Sequence, residues 1–301
     1  IAASTTDAGH SGRIGVMERL TMSQVSTTTS SPRRRVAMTW VVWITAVIAY
    51  GFAVMQRTSL GVMGLTAAAH FNAPASVVAT FMVLQLAVYA VLQIPAGITV
   101  DRLGSRVVIT AGSIVMTVGQ VVMALTGSVG GAVLARVLVG CGDAFIFGAA
   151  IRLVPAWFPP KQTPLVTQLT GLLGQFGQVV SAVGLVAMVN SSGWRSTYLL
   201  AAGGAAVAAA LAFLLIRDAP PGVEPERTDG NVKQLPHQVA EVISHPSTRL
   251  AFWAHMSSNF AGIVFSLMWG MPYLTHAEGR STATASTPVS YTHLRAHETL
   301  R

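Results

Sequence analysis

The sequence predicts an all-α polytopic membrane protein, a helical bundle with about seven transmembrane helices. Hydrophobic residues make up 52% of the 301 residues and charged residues only 10%, whereas a soluble domain carries about 25% charged residues. The mean hydropathy is +0.57. Apolar runs of about 20 residues, the span of a bilayer's hydrocarbon core, recur along the chain. Because the runs are continuous rather than alternating, they disfavour a transmembrane β-barrel.

Seven apolar runs define the predicted spans in order. The first six lie at about 36–65, 76–100, 107–125, 132–154, 165–189 and 198–216, and together they form one unit, residues 36–216. Residues 217–249 form a linker rich in proline, glycine and charge, and residues 250–275 form the seventh span. Within the linker Val232, Leu235, Val239 and Val242 share one helical face. This pattern fits an interfacial helix on the membrane surface, or a solvated linker.

Both ends of the chain look unlike the rest. Residues 1–35 form a polar tail, and we expect translation to start at Met17 or Met22 rather than Ile1. Residues 276–287 are expected to be a truncated outer loop. The stretch 289–299 back-translates to a string typical of a transposon-based sequencing adapter, so residues 288–301 are treated as an artefact and excluded from fold reasoning.

Charge and motifs exclude several functions. The net charge of +8 comes from basic residues at the ends of spans, not on one face, so nucleic acid is not the expected partner. Their distribution places the amino terminus and the linker in the cytoplasm by the positive-inside rule. The single Cys141 rules out a disulfide framework. No phosphate loop, zinc spacing or nucleophile elbow is present, so we expect no enzyme activity, metal or cofactor.

The turn between the second and third spans carries the most specific pattern. It contains Gly97, Asp101, Arg102, Gly104 and Arg106 between two long apolar runs. This pattern resembles the signature loop of the major facilitator superfamily, with Ser105 in place of the usual arginine. Two further matches, to the fourth span and to the start of the sixth, are Arg136-Val-Leu-Val-Gly140-Cys-Gly142 and Gly193-Trp194-Arg195.

The resemblance implies a transporter of twelve spans in two six-helix halves. These halves rock around a central cavity, so this chain would be one half plus the first helix of the other, missing half. The expected location is the lipid bilayer of a bacterial cytoplasmic membrane. Asp101 would belong to a gate that latches the cytoplasmic side, and spans one, four and seven would line the cavity.

Span four carries two ionisable residues, Arg136 and Asp143, inside the apolar run. Seven residues place them on about the same helical face, and we expect them to be partners through a bridging water or a substrate. Either they form a structural ion pair, or Asp143 carries a proton, because an intramembrane ionisable residue is a functional hypothesis by default. Gly140 and Gly142 are expected to allow close helix packing.

Span one contains a polar cluster of Gln56, Arg57, Thr58 and Ser59. By the resemblance, Arg57 and Arg136 would face each other across the cavity, and two cations with little acid nearby would attract an anion. The alternative is that Arg57 extends to the membrane surface.

Span five combines Gln168, Gln175 and Gln178 with Gly171 and Gly174. The amides either join helices or bind solute, and the glycines suit close packing. The run has a faint similarity to the nitrate/nitrite porter signature, without its usual asparagine. In span seven, His255 and Asn259 lie four residues apart on one face. His255 is either a packing or hydrogen-bonding residue or a proton relay, and Asn259 is a candidate for solute contact or proton coupling.

The predicted function is therefore secondary active transport of a small solute, an anion coupled to protons. The alternatives left open are a neutral or cationic solute moved by an efflux-type transporter, a membrane-embedded enzyme, or a channel. The sequence does not resemble a selectivity filter, and it lacks a carboxylate cluster of the kind that an enzyme would need.

Overall fold

The computed structural model describes residues 32–225, 235–265, 270–281 and 284. The chain divides into two compact units, Ile1–Ala37 and Met38–Arg301. Of the first unit, the described residues 32–37 are helical. Apart from those residues, the packing below lies within the second unit.

The described residues are helical almost throughout and contain no β-strand, so the all-α prediction is confirmed. A π-helical stretch, Val180–Leu185, joins α6 to α7, and another covers Tyr273–Ala277. The helices are α1 (Pro32–Val62), α2 (Gly64–His70), α3 (Ala75–Leu103), α4 (Ser105–Leu125), α5 (Val129–Trp157), α6 (Thr163–Val179), α7 (Val186–Leu215), α8 (Leu235–Ser244), α9 (Pro246–Val264) and α10 (Gly270–Pro272).

Five helical stretches of the described residues are long and apolar enough to cross a membrane. They are Arg34–Val62, Ala75–Leu103, Ser105–Leu125, Val129–Trp157 and Thr163–Leu215. The last is 53 residues long, far more than the roughly 20 that one span needs. It is interrupted at Gly193, whose φ of 78° is non-helical, inside the predicted turn between spans five and six. Six predicted spans thus overlap these five stretches.

The predicted seventh span is represented by α9, which is not among those five stretches. Its run of His255, Ser257, Ser258 and Asn259 lowers its hydropathy. Large apolar side chains of α9, such as Leu250 and Trp253, are 72% and 62% exposed. The seventh span remains a prediction, and residues 266–269 within it lie outside the described residues.

Helix α4 packs along α5 and also on α7, and α5 packs on α3. The crossing of α4 and α5 is centred on two glycines, because a Cβ added to Gly112 would lie 2.7 Å from the carbonyl oxygen of Gly142. Helices α1 and α6 cross in the same way, since a Cβ at Gly177 would lie 2.9 Å from the backbone of Gly51. Small residues let helix backbones approach when lipid supplies no hydrophobic driving force between helices.

Two apolar clusters occupy the ends of the bundle. We call them the Asp101 end and the Trp194 end. At the Asp101 end, Trp43 of α1 packs with Trp157 and Phe158 at the end of α5, which shows that α1 and α5 are antiparallel. At the Trp194 end, the indole of Trp194 donates to the carbonyl of Met123 at 3.0 Å.

Candidate functional site

An ion pair between Arg57 and Asp143 lies in the middle of the bundle. Arg57 Nε is 2.6 Å from Asp143 Oδ2, and Arg57 Nη2 donates to Asp143 Oδ1 at 2.9 Å. The guanidinium therefore contacts both carboxylate oxygens, one through a hydrogen bond and the other through a close ionic contact. The Asp143 side chain is 1% exposed and that of Arg57 17% exposed.

The structure corrects the expected pairing of Arg136 with Asp143. Helical side chains lean towards the amino terminus of their helix, so the guanidinium of Arg136 is directed away from Asp143, which lies about 10 Å further along the same helix. Arg57 lies on the antiparallel helix α1 and leans the opposite way, so it meets Asp143. Arg57 and Arg136 therefore do not face each other as two unpaired cations.

Arg136 is completely buried in a cage of neutral oxygen atoms. Its Nη1 donates to the backbone carbonyl of Gln56 at 3.3 Å and to Gln85 Oε1 at 3.3 Å. Its Nη2 donates to Gln120 Oε1 at 3.4 Å, and both nitrogens lie 3.4 Å from Ser59 Oγ. The cage joins α1, α3, α4 and α5 through one side chain, but none of these ligands carries a negative charge.

Aromatic rings surround the Arg57 end of the ion pair. The Arg57 guanidinium lies 4.9 Å from the ring centroid of Tyr89 on α3, a cation–π distance. Tyr50 of α1 packs against Phe147 with ring centroids 4.8 Å apart. Gly174 of α6 faces the Tyr50 ring, which a Cβ there would strike. Aromatic rings thus line part of the ion-pair site, and no simple sequence pattern predicts them.

The predicted glutamines of span five do not converge on the ion pair in the described contacts. Gln168 is exposed, Gln175 is partly buried, and Gln178 is partly buried with an Oε1 that lacks a hydrogen-bond donor. Asn259 bonds within its own helix, donating to the carbonyl of His255 at 3.1 Å. Gly171 was predicted to pack closely against another helix, but a Cβ there would meet no described atom within 4 Å, unlike one at Gly140, Gly142 or Gly174.

Gly140 and Gly142 lie at close helix contacts. A Cβ at Gly140 would be 2.6 Å from the carbonyl oxygen of Gln85, the residue that binds Arg136. A Cβ at Gly142 would lie 3.1 Å from the backbone nitrogen of Met116 on α4. The small residues beside Arg136 and Asp143 thus hold α3 and α4 close to the two ionisable side chains.

The signature loop joins three parts of the Asp101 end. Asp101 forms an ion pair with Arg152 of α5. Gly104 separates α3 from α4 and has a φ of 83°, in the left-handed region that favours glycine. The carboxylate of Asp218, after α7, accepts from the backbone nitrogen of Arg106 at 2.9 Å. Arg102 also makes contacts of its own.

The sequence analysis did not single out Gln85, Gln120, Tyr89, Arg152 or Asp218. For the two glutamines a signal was present, because an amide inside an apolar span requires a hydrogen-bond partner. Arg152 also lies within an apolar helix, sixteen residues after Arg136. For Tyr89 and Asp218 no sequence signal distinguishes these residues from ordinary aromatic or linker residues.

The family model described as "Major Facilitator Superfamily" matches residues 44–292. A hexuronate transporter of Bacillus subtilis is 24% identical over 66% of this chain and 47% of its own length. A nitrate/nitrite transporter of Nostoc punctiforme is 30% identical over 58% of this chain and 35% of its own length. A probable L-galactonate transporter of Escherichia coli is 24% identical over 53% of the chain and 34% of its length. The chain thus spans less than half the length of these relatives.

Solved structures of low sequence identity share the fold. A bacterial homolog of the human lysosomal transporter Spinster, in an inward-facing conformation, has a TM-score of 0.66 at 19% identity. The match covers 89% of this chain and 60% of that chain. A D-xylose–proton symporter has a TM-score of 0.55 at 16% identity, over 84% of this chain and 64% of its own.

Proposed function

Because the chain belongs to the Major Facilitator Superfamily, we propose that it is part of a secondary active transporter, which moves a small anion together with protons by alternating access. The observation that carries this proposal is the buried Arg57–Asp143 ion pair. Its two members give the site a cation for the solute and a carboxylate for the proton.

The coupling of proton and solute follows because Asp143 and the anionic solute compete for the guanidinium of Arg57. While Asp143 is ionised, it holds the Arg57 guanidinium at Nη2 and Nε. A proton on Asp143 removes the opposing charge, so the Arg57 fork becomes available to an anionic solute. Arginine suits this exchange because it stays protonated and binds carboxylates in a bidentate geometry. Proton binding and anion binding therefore favour each other.

The preference for an anion rests on the balance of buried charge. Within the interior of the described spans, Arg57 and Arg136 carry two positive charges and Asp143 one negative charge. The names of four relatives agree with this balance, because hexuronate, L-galactonate, sulfoacetate and nitrate are all anions.

The test is uptake into vesicles by the transporter that carries both halves. Labelled L-galactonate, glucuronate and nitrate serve as probes under an inward proton gradient. We expect saturable uptake that needs the gradient, and we expect Arg57→Gln to weaken anion affinity. If Arg57→Gln and Arg136→Lys both leave anion affinity unchanged, the solute is neutral or cationic and the arginines are structural. A rate that never saturates would instead indicate a channel.

Two further proposals concern the gate and the orientation. Asp101 acts as a gate residue, so Asp101→Asn slows turnover but preserves solute affinity on the opposite side. The amino terminus and the Asp101 end face the bacterial cytoplasm. Replacing Cys141 with Ala and placing single cysteines at the exposed Glu224 and Ser192 tests this orientation. Impermeant reagent added outside intact cells is expected to label position 192 and not position 224.

A further inference from the structure

A row of α3 residues leads from the ion pair to the Asp101 end. Tyr89, Gln93, Gly97 and Asp101 are spaced four residues apart, so they lie on one side of the helix, one turn after another. A second row faces it on α5, with the same spacing, and its members are Ala144, Gly148 and Arg152.

A cavity of about 250 Å³ lies between the two rows. Gln93, Asp101 and Arg152 are the polar residues in its lining, and Gly97 and Gly148 are its glycines. A water molecule in the liquid occupies about 30 Å³, so the cavity has room for a file of several waters. Its polar lining supplies the hydrogen-bond partners that such waters need.

One residue along α5 and one turn along α3 separate the lining of this groove from the ion pair. Ala144 of the lining directly follows Asp143, and Tyr89, one turn above Gln93, covers the Arg57 guanidinium. Gln93 follows Tyr89 on the same side of α3. The polar side chains of Tyr89 and Gln93 therefore lie between the Arg57–Asp143 pair and the Asp101–Arg152 ion pair along α3.

The two glycines of the groove do not serve helix packing among the described residues. A Cβ added to Gly97 or to Gly148 would meet no described atom within 4 Å. Gly140 and Gly142 on the same helix α5 are different, since a Cβ there would strike α3 or α4. The absent side chains at Gly97 and Gly148 instead keep the groove wide.

Two other groups adjoin the ion pair, and neither belongs to the lining of the groove. Tyr50, which stands within electrostatic range of Asp143, is wedged against Phe147 and Gly174. Arg136, the other ionisable group of α5 nearby, is enclosed in its cage of neutral oxygens.

We propose that the groove between α3 and α5 is the route by which a proton leaves Asp143 towards the Asp101 end. This inference rests on the proton coupling proposed above. The neutral carboxyl group of Asp143 gives its proton to a water in the groove and becomes a carboxylate, which pairs again with Arg57. The proton passes along hydrogen-bonded waters beside Tyr89 and Gln93 and is released at the mouth, beside Asp101 and Arg152.

The experiment fills the groove with apolar volume in the reconstituted transporter that carries both halves. Gly148→Leu and the smaller Gly148→Val put a side chain into the open space, with no described atom within 4 Å of the new Cβ. Gly171→Leu and Gly203→Leu are matched controls, because these glycines face equally open space away from the groove.

Two readouts separate the proton route from the transport cycle. The first is uptake of labelled L-galactonate driven by a proton gradient, compared with exchange of the same solute at equal pH on both sides. The second is the rate at which Asp143 changes protonation after a pH step on the Asp101 side. It is followed by the infrared band of its carboxylic acid, which Asp143→Asn assigns.

We expect the groove variants to slow gradient-driven uptake and Asp143 protonation roughly tenfold, about 1.4 kcal/mol of barrier, while solute exchange and the control variants keep their rates. Equal loss of exchange would mean that the groove serves only the rocking motion, and unchanged protonation would mean another route; either result overturns the inference. If the unmodified transporter lacks gradient-driven uptake, the proposed coupling fails, yet the infrared rates still decide whether protons use the groove.

Discussion

The Arg57–Asp143 pair contains two charges that behave differently when one is left alone. An aspartate can neutralise itself by taking up a proton, whereas an arginine stays charged. Removing Asp143 therefore leaves a charge that nothing in the pair can cancel. This asymmetry gives the pair a measurable signature in stability, separate from any transport assay.

We predict that Asp143→Asn lowers the stability of the bundle more than Arg57→Gln does. Breaking a buried pair from one side costs about 3–5 kcal/mol, and the Asn variant should approach that value. The double variant Arg57→Gln/Asp143→Asn, which holds no charge at this place, should regain much of the loss. Thermal unfolding of the four proteins in detergent checks this order. Additive effects of the two substitutions would show that the pair is not coupled.

The ionisable residues of the site could be named from the sequence, but their partners could not. Arg57, Arg136 and Asp143 are conspicuous because charges are rare in apolar spans. Spacing along one helix suggested that Arg136 and Asp143 are partners, whereas the side-chain lean and the antiparallel neighbour α1 bring Arg57 to Asp143. Which helices are neighbours is a property of the tertiary fold, and a pattern within one span does not contain it.

Helix α6 offers a comparison between two glycines six residues apart. A Cβ at Gly177 would lie 2.9 Å from the backbone nitrogen of Met55 and from the carbonyl carbon of Gly51. At Gly171 there is open space. The first glycine holds α6 against α1, and the second has no packing role among the described residues.

We predict that Gly177→Ala destabilises the bundle by about 1–3 kcal/mol, the usual cost of overpacking. Gly171→Ala should instead be neutral or stabilising by about 0.5–1 kcal/mol, because alanine loses less conformational entropy in a helix. Unfolding midpoints of both variants in one detergent test the difference. Equal unfolding midpoints would mean that α1 and α6 can move apart to admit the new methyl group without a loss of stability.

The amino terminus of α4 shows how the linker contributes to the half-bundle. The first turn of α4 has no acidic residue, and Asp218 supplies the missing negative charge from beyond α7. Arg106 also donates from Nε to the carbonyl of Phe213 at 2.8 Å. Arg106 thus joins the start of α4 to the end of α7 through two groups, its backbone nitrogen and its side chain.

Removing the Asp218 cap should lower the stability of the bundle modestly, by an amount that depends on whether the new side chain can still accept a hydrogen bond. We predict that Asp218→Ala lowers stability by about 0.5–2 kcal/mol, the range for a lost helix cap. Asp218→Asn should lose less, since its amide oxygen can still accept from the Arg106 nitrogen. Glu224→Ala, which removes a nearby exposed acid, is the control and should change little. A large effect of Glu224→Ala would point to a general charge effect instead.

The helices themselves were largely predictable, because long apolar runs bounded by Gly104, Gly193 and the Thr126–Gly131 turn leave few alternatives. Helix α9 was harder, since its His, Ser and Asn residues give it a hydropathy below that of the other spans. The contact of Asp218 with α4 was beyond prediction, as it joins residues 112 positions apart.

At the scale of the whole molecule, the described bundle buries Arg136 and Asp143 in its interior and exposes apolar side chains on its surface. Asp143 and Arg136 are shielded by α1, α3, α4 and α7 without help from any other half. By contrast, α3 is largely exposed, and so are the apolar side chains of α9. In a bilayer these exposed apolar faces are tolerated, because lipid tails are as apolar as they are.

We therefore predict that this chain, expressed alone, inserts into a membrane but does not transport. The buried ion pair does not oppose insertion, because its charges are shielded within the half and avoid the cost of about 2.5–3.5 kcal/mol of a charge in hydrocarbon. In the two-half transporter proposed above, transport needs a second wall for the cavity and a partner for the gate at Asp101, both from the other half. The measurement compares membrane-fraction yield with proton-driven uptake of L-galactonate by the purified 301-residue chain. Saturable uptake by this chain would contradict the prediction and show that six spans and α9 suffice for transport, for example as two assembled copies. Absence from the membrane fraction would contradict the predicted insertion and show that these helices are not stable alone.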